Sequence, residues 1–116
     1  MTPRENYPSR LLCCASLATI YLGRNPRDVA QPLTAAGLIL AEIDWMKGGE
    51  ELAPITRATS VVERVLRDCR VEYHAQNRAG LEVALRQLQT ACFALADRWT
   101  EVFSPRHQLA AQARAA

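Results

Sequence analysis

Lysine is almost missing from this chain of 116 residues. Lys47 stands alone against thirteen arginines. Histidine is nearly as scarce, with only His74 and His107, and aromatics make up 6%. Each shortage excludes something. The five glycines form no Gly-rich loop that could cradle a phosphate. Neither histidine has a cysteine or carboxylate at a spacing that builds a nucleophile–base pair or a metal site. Cys13, Cys14, Cys69 and Cys92 include no Cys-x-x-Cys, so neither a zinc pattern nor a disulfide scaffold is expected. Reduced thiols are the expected state, which points to the cytoplasm. No metal, no cofactor and no catalytic residue is expected, and the chain reads as not an enzyme.

Long apolar runs are also lacking. A membrane-spanning helix needs about 20 apolar residues. Leu11 to Leu22 supplies twelve, with Ser16 and Thr19 among them. A signal peptide fits poorly too, because Glu5 and Pro8 interrupt the basic lead and no small-x-small site closes the run. No membrane partner is expected. As a helix, "RLLCCASLATIYLG", Arg10 to Gly23, is apolar nearly all round. That predicts a central helix, or one covered by a second copy of the chain. A homodimer is the resulting expectation, with Leu11, Leu12, Leu17, Ile20 and Tyr21 as contacts. Cys13 and Cys14 point about 100° apart on a helix, so they cannot hold one metal from one face. Both read as small core residues.

What is present favours helices. Ala, Leu and Arg dominate, and all three are good helix formers. Their abundance also suggests a GC-rich, bacterial coding sequence or a bacterial mobile element. The chain is 49% apolar and 22% charged, ordinary globular usage, and its length suits one domain. The fold class expected is all-α, a small four-helix bundle with an antiparallel hairpin of two long C-terminal helices. Residues 1–8 read as an extended arm, 9–103 as the single bundle domain, and 104–116 as an Ala-rich tail, a short frayed helix.

Ser9 can cap the first helix and Gly23 can stop it in a left-handed cap. Asn25 suits an N-cap, with Pro26 welcome at the first helical position. Pro32 predicts a kink, or a short helical turn followed by a new start near Gln31. The second helix then ends at Gly48-Gly49. The third runs from about Leu52–Pro54 to Gln76, with Ile55, Ala58, Val62, Val65 and Cys69 inward. The fourth runs from about Ala79 to Phe103, with Leu81, Leu85, Leu88, Cys92, Leu95, Trp99 and Val102 inward. Those steps alternate four and three, the strongest periodic signal in the chain. A link near Asn77 to Gly80 makes these two helices a hairpin. Cys69 and Cys92 then become core neighbours, and a disulfide between them requires export.

Two surface features stand out. The outer side of the third helix collects Arg57, Arg64, Arg67, Arg70, His74 and Arg78, a stripe of about 32 Å at 1.5 Å per residue. It reads either as a solvated face with Glu63–Arg67 and Arg64–Asp68 pairs, or as a docking face. Arginine forks match carboxylates and phosphates, so the partner is a protein with an acidic surface or a nucleic acid. Phe93 lies on a polar side of the fourth helix. It is an interface anchor, or it packs under the first helix or the tail. Trp45 reads as core. Net charge is only +2, and no helix-turn-helix signature is evident. The leading functional expectation is therefore a non-enzymatic protein-protein interaction module, a small regulator, adaptor or inhibitor. The alternative is a nucleic-acid-binding regulator using the Arg-rich outer face.

Overall fold

Good helix formers with period-3.6 patterning and no alternating strand pattern should give helices alone. The computed structural model of the protein describes residues 3–44 and 52–103. Among these there are four α-helices and no strand. They are α1 (Pro3–Arg24), α2 (Ala30–Asp44), α3 (Ala53–His74) and α4 (Arg78–Phe103), with a 3-10 turn over Pro26–Val29. α1 packs on α2, α2 on α3, α3 most extensively on α4, and α4 back on α1. Neighbours run antiparallel. Arg10 near the start of α1 pairs with Glu42 near the end of α2 at 3.6 Å. Arg70 near the end of α3 donates to the Leu33 carbonyl near the start of α2 at 3.5 Å. Tyr7 of α1 meets Trp99 of α4 edge to face at 5.8 Å. The fold is a four-helix bundle closed into a ring.

The core is shared by all four helices. Leu11, Ala15, Ala18 and Leu22 face inward from α1, and Leu33, Ala36, Ile39, Leu40 and Ile43 from α2. The α4 row is buried as its periodicity predicts from Leu81 to Trp99, while Val102 is half-buried. On α3, Thr59 and Leu66 are buried beyond the predicted row, and Ala58 is half-buried at its edge. α3 packs on two helices, α2 and α4, so its buried arc is wider than one row. The Thr59 hydroxyl donates to the Ile55 carbonyl at 2.7 Å, which satisfies the buried polar group.

The first helix departs from expectation at both ends. Residues 3–8 are helical rather than an extended arm. Pro3 suits a first helical position. Pro8 lies inside the helix and has no N–H for the Arg4 carbonyl. Tyr7, the residue before it, packs edge to face against Trp99 of α4. Gly23 is ordinary helix and not a left-handed cap, since α1 continues to Arg24. The Asn25 N–H still reaches the Tyr21 carbonyl at 2.7 Å. Asn25 holds the cap position in extended backbone, but its side chain makes no capping bond.

Pro32 resolves as a short turn and a fresh start. The 3-10 turn leads into α2 at Ala30, which puts Pro32 in the first turn of α2. N–H groups there have no intrahelical partner, so the missing one costs nothing. Between α3 and α4, Gln76 takes a left-handed φ of 57°. The Asn77 N–H donates to the Glu72 carbonyl and the Gln76 N–H to the Tyr73 carbonyl, at 3.0 and 3.1 Å. This is a Schellman closure with glutamine where glycine is usual. Asn77 then caps α4, its Oδ1 accepting from the Gly80 N–H at 3.1 Å.

Cys14 is buried but Cys13 is exposed, so only one of the pair is a packing residue. The 100° step between them puts one on each side of the boundary. α1 is accordingly not a central helix. It is one corner of the ring, with Ser9, Arg10, Cys13, Ser16, Leu17 and Ile20 turned outward. No helix is long and apolar enough to cross a membrane, among the described residues. The Gly48-Gly49 end of the second helix, Trp45, His107 and the Ala-rich tail lie outside the described residues.

Candidate docking groove between the third and fourth helices

The arginines predicted as one stripe are dealt to three places. Arg57 and Arg64 lie on the α4 side of α3, where they line the furrow between the two helices. Arg70 leans the other way. Its guanidinium lies over Gly37 of α2, where a Cβ would collide with it. His74 and Arg78 reach the end of the bundle, beside Arg27. Arg78 is the first residue of α4 and not part of α3. Arg67 is exposed between these groups. The six residues expected on one docking face thus lie as an Arg57–Arg64 pair on the furrow, a His74–Arg78 cluster at the bundle end, and Arg67 and Arg70 between them. A helical wheel treats α3 as having one neighbour. It has two, so residues at the margins of its outer arc lie over different helices.

The furrow has two halves. One, of about 530 Å³, is lined by Val61, Val65, Ala91 and Ala94, with Arg64, Asp68 and Arg86 among the charged groups. The other, of about 420 Å³, shares Val61 and Ala94 and adds Pro54, Ala58, Arg57, Arg98 and Glu101. Shared lining makes them one groove. From Pro54 to Asp68 it runs about 21 Å along α3 at 1.5 Å per residue. It exists because Ala58, Ala91 and Ala94 put single methyl groups where larger side chains would fill the gap.

Its charge is lopsided. Four arginines, Arg57, Arg64, Arg86 and Arg98, face two acids, Asp68 and Glu101. Glu101 is already engaged, since Arg98 Nη1 donates to both its oxygens at 3.0 and 2.8 Å. Arg57, Arg64 and Arg86 have no ion pair among the described residues. The Arg64–Asp68 pair expected at four-residue spacing is not formed, nor does Arg67 pair with Glu63. Sequence reasoning missed Arg86 and Arg98. The available signal was small residues, Ala91 and Ala94, lying off the inward row of α4 with arginines on the same side.

Phe93 is 60% exposed, as its polar surroundings predict. It is not among the residues that line the groove, although it follows Arg86 by about two turns and stands beside its α4 rim. The α1 residues expected at a dimer contact also separate. Leu11 is 1% exposed and belongs to the core, so it cannot meet a second copy. Leu12 and Tyr21 are half-buried against the core. Leu17 and Ile20 are exposed, at 37% and 48%.

All four cysteines are free. Burial pushes the thiols of Cys69 and Cys92 up to about 12. Asp68 adds to the rise at Cys69, and the thiols of Cys14 and Cys69 add to it at Cys92. Cys14 is raised too, chiefly by burial. The effect of Cys69 on Cys92 fits the predicted neighbourhood of the two, and no disulfide links them. Among the described residues no three His, Cys, Asp or Glu side chains are grouped to hold a metal ion. Compared with protein-family models, curated proteins and solved structures, the chain has no significant match.

Proposed function

We propose that this protein is a non-enzymatic interaction module, a small regulator, adaptor or inhibitor. It receives an acidic amphipathic helix of another protein in the α3–α4 groove. The observation that carries this reading is the groove's composition. Four arginines and a single uncommitted acid border a floor of alanine and valine. An amphipathic helix offers apolar side chains at three- and four-residue steps to such a floor. Its flanking Glu and Asp would meet guanidinium forks at a matching distance. A length of about 21 Å accommodates roughly four turns of helix.

The same composition argues against two neighbouring readings. A second copy docking groove to groove would bring eight arginines together, and like charges repel. A nucleic-acid backbone would satisfy the arginines but leave the alanine–valine floor uncovered. Self-association, if it occurs, uses Leu17 and Ile20 on α1 instead. The arginine- and alanine-rich composition and the four free cysteines support a bacterial, cytoplasmic setting.

The test uses defined probes. A helical peptide with leucine anchors and glutamate flanks is titrated by fluorescence anisotropy, beside its lysine-flanked counterpart and a short DNA duplex. The acidic peptide should bind most tightly. Arg64→Glu/Arg86→Glu should weaken it by at least about tenfold, the scale of a lost charge-assisted bond, with the circular dichroism spectrum unchanged. Leu38→Ala, on α2 and away from the groove, should leave it unaltered. Tighter binding to the duplex would replace this reading with the nucleic-acid one. Equal affinity for both peptides would remove the charge argument.

A further inference from the structure

The end of the bundle opposite the groove's Pro54 entrance holds a second concavity that the docking reading does not use. It has a volume of about 440 Å³, within the ordinary range for small-molecule sites. Three chain segments meet there: the end of α1 with the 3-10 turn, the end of α3, and the start of α4. Leu22, Pro26, Tyr73 and Leu81 supply apolar surface, and Arg27, His74 and Arg78 supply nitrogen donors.

The walls are tied together. Tyr73 donates its hydroxyl to the Arg27 carbonyl at 3.2 Å, which fixes the 3-10 turn to α3. The Schellman closure and the Asn77 cap fix α3 to α4. Such a site is pre-organised, which lowers the entropic cost of binding. Its charges are not balanced internally. Glu72 is the one acid in the lining, and its carboxylate is folded onto Gly80, where a Cβ would collide with it. That places Glu72 at the first turn of α4, where helix N–H groups favour a negative charge. Arg27 has no ion pair among the described residues. Arg78 is held only by Glu82 at 3.7 Å, an exposed pair of the weak kind.

We propose that this cavity binds a small organic carboxylate with an apolar body, such as an aryl- or alkyl-carboxylic acid. The guanidinium of Arg27 takes the carboxylate, and Arg78 joins it by releasing Glu82. Leu22, Tyr73 and Leu81 cover the apolar part. One negative charge suits the site better than two or three. Glu72 in the same lining repels a multiply charged phosphate ester, and two arginines already match a single carboxylate.

The experiment uses the full chain and four probes: 3-phenylpropionate, its uncharged analogue 3-phenylpropanol, phenyl phosphate and adenosine monophosphate. Binding is followed by isothermal calorimetry and by amide chemical shifts. The carboxylate should saturate and move the signals of Leu22, Tyr73 and Leu81. The alcohol should bind at least about tenfold more weakly, as should Arg27→Ala, consistent with loss of one charged hydrogen bond. Both phosphates should bind more weakly than the carboxylate. Arg27→Lys should recover part of the affinity, and Arg57→Ala, in the groove, should change nothing. Arg27 is exposed, so its replacement leaves the fold intact and a null result is interpretable. Failure of the carboxylate to saturate, equal binding of the alcohol, tighter binding of either phosphate, or shifts confined to the groove would each overturn the proposal. Failure of the acidic peptide in the groove would leave this site untouched, since the two share no residue.

Discussion

At the scale of single residues, the α3–α4 turn carries an avoidable strain. Gln76 holds a left-handed φ of 57°, a conformation that costs a side chain roughly 1 kcal/mol and glycine almost nothing. Gln76→Gly should therefore stabilise the protein by about 1 kcal/mol and raise its Tm by roughly 4 °C, read by thermal circular dichroism. The buried thiols give a second prediction. Cys69 and Cys92 lie near 12 when folded against an ordinary 9.0. A raised value means the unfolded chain loses these protons first as pH climbs. Their stabilisation is complete below pH 9 and disappears as pH rises toward 12. The Tm should fall across that window, and more gently in Cys69→Ala/Cys92→Ala. Below it, a thiol reagent should modify exposed Cys13 quickly and the other three only on unfolding.

At the scale of elements, what was legible depended on whether a helix answered to local chemistry or to a distant contact. α4 was legible because its apolar residues from Leu81 to Trp99 keep one period against a regular partner. The turn before it was legible from Asn77 and Gly80. The start of α1 was not. Pro8 argues locally for a break, while the residue before it, Tyr7, meets Trp99, far along the chain. Tyr7→Ala should consequently release residues 3–8 toward coil. Their Cα chemical shifts should lose helical character while those of residues 11–22 keep it. Shifts unchanged throughout would mean that Tyr7 does not hold this turn. The arginines of α3 show the same limit. Which neighbour Arg57, Arg64 or Arg70 lies over is set by the packing of α2 and α4, and α3 alone does not contain it.

At the scale of the whole molecule, exposed apolar side chains occur on all four helices, Val71 of α3 and Phe93 of α4 among them. The groove between α3 and α4 is cationic, whereas α1 exposes Leu17 and Ile20. α2 adds Leu38, 65% exposed. Self-association through α1 would be insensitive to salt, because its contacts are apolar, while occupation of the groove would weaken as salt screens the arginines. Sedimentation equilibrium should therefore find any dimer unchanged by salt and lost in Leu17→Glu/Ile20→Glu. A dimer dispersed by salt instead would place the arginines at the contact. The groove itself was only half legible, because it needs the register of Ala91 and Ala94 against Val61 and Ala58.

The ring of contacts has one further meaning. Three of its sides join helices that follow one another along the chain, but the fourth, between α1 and α4, is made by packing alone. The architecture thus does not depend on which side lacks a covalent connection. A circular permutant with a linker joining α4 to α1, opened between α2 and α3, would run α3–α4–α1–α2 and preserve all four sides. Both the groove and the end cavity would survive such a rewiring, since each is built from neighbours in space rather than from order along the chain.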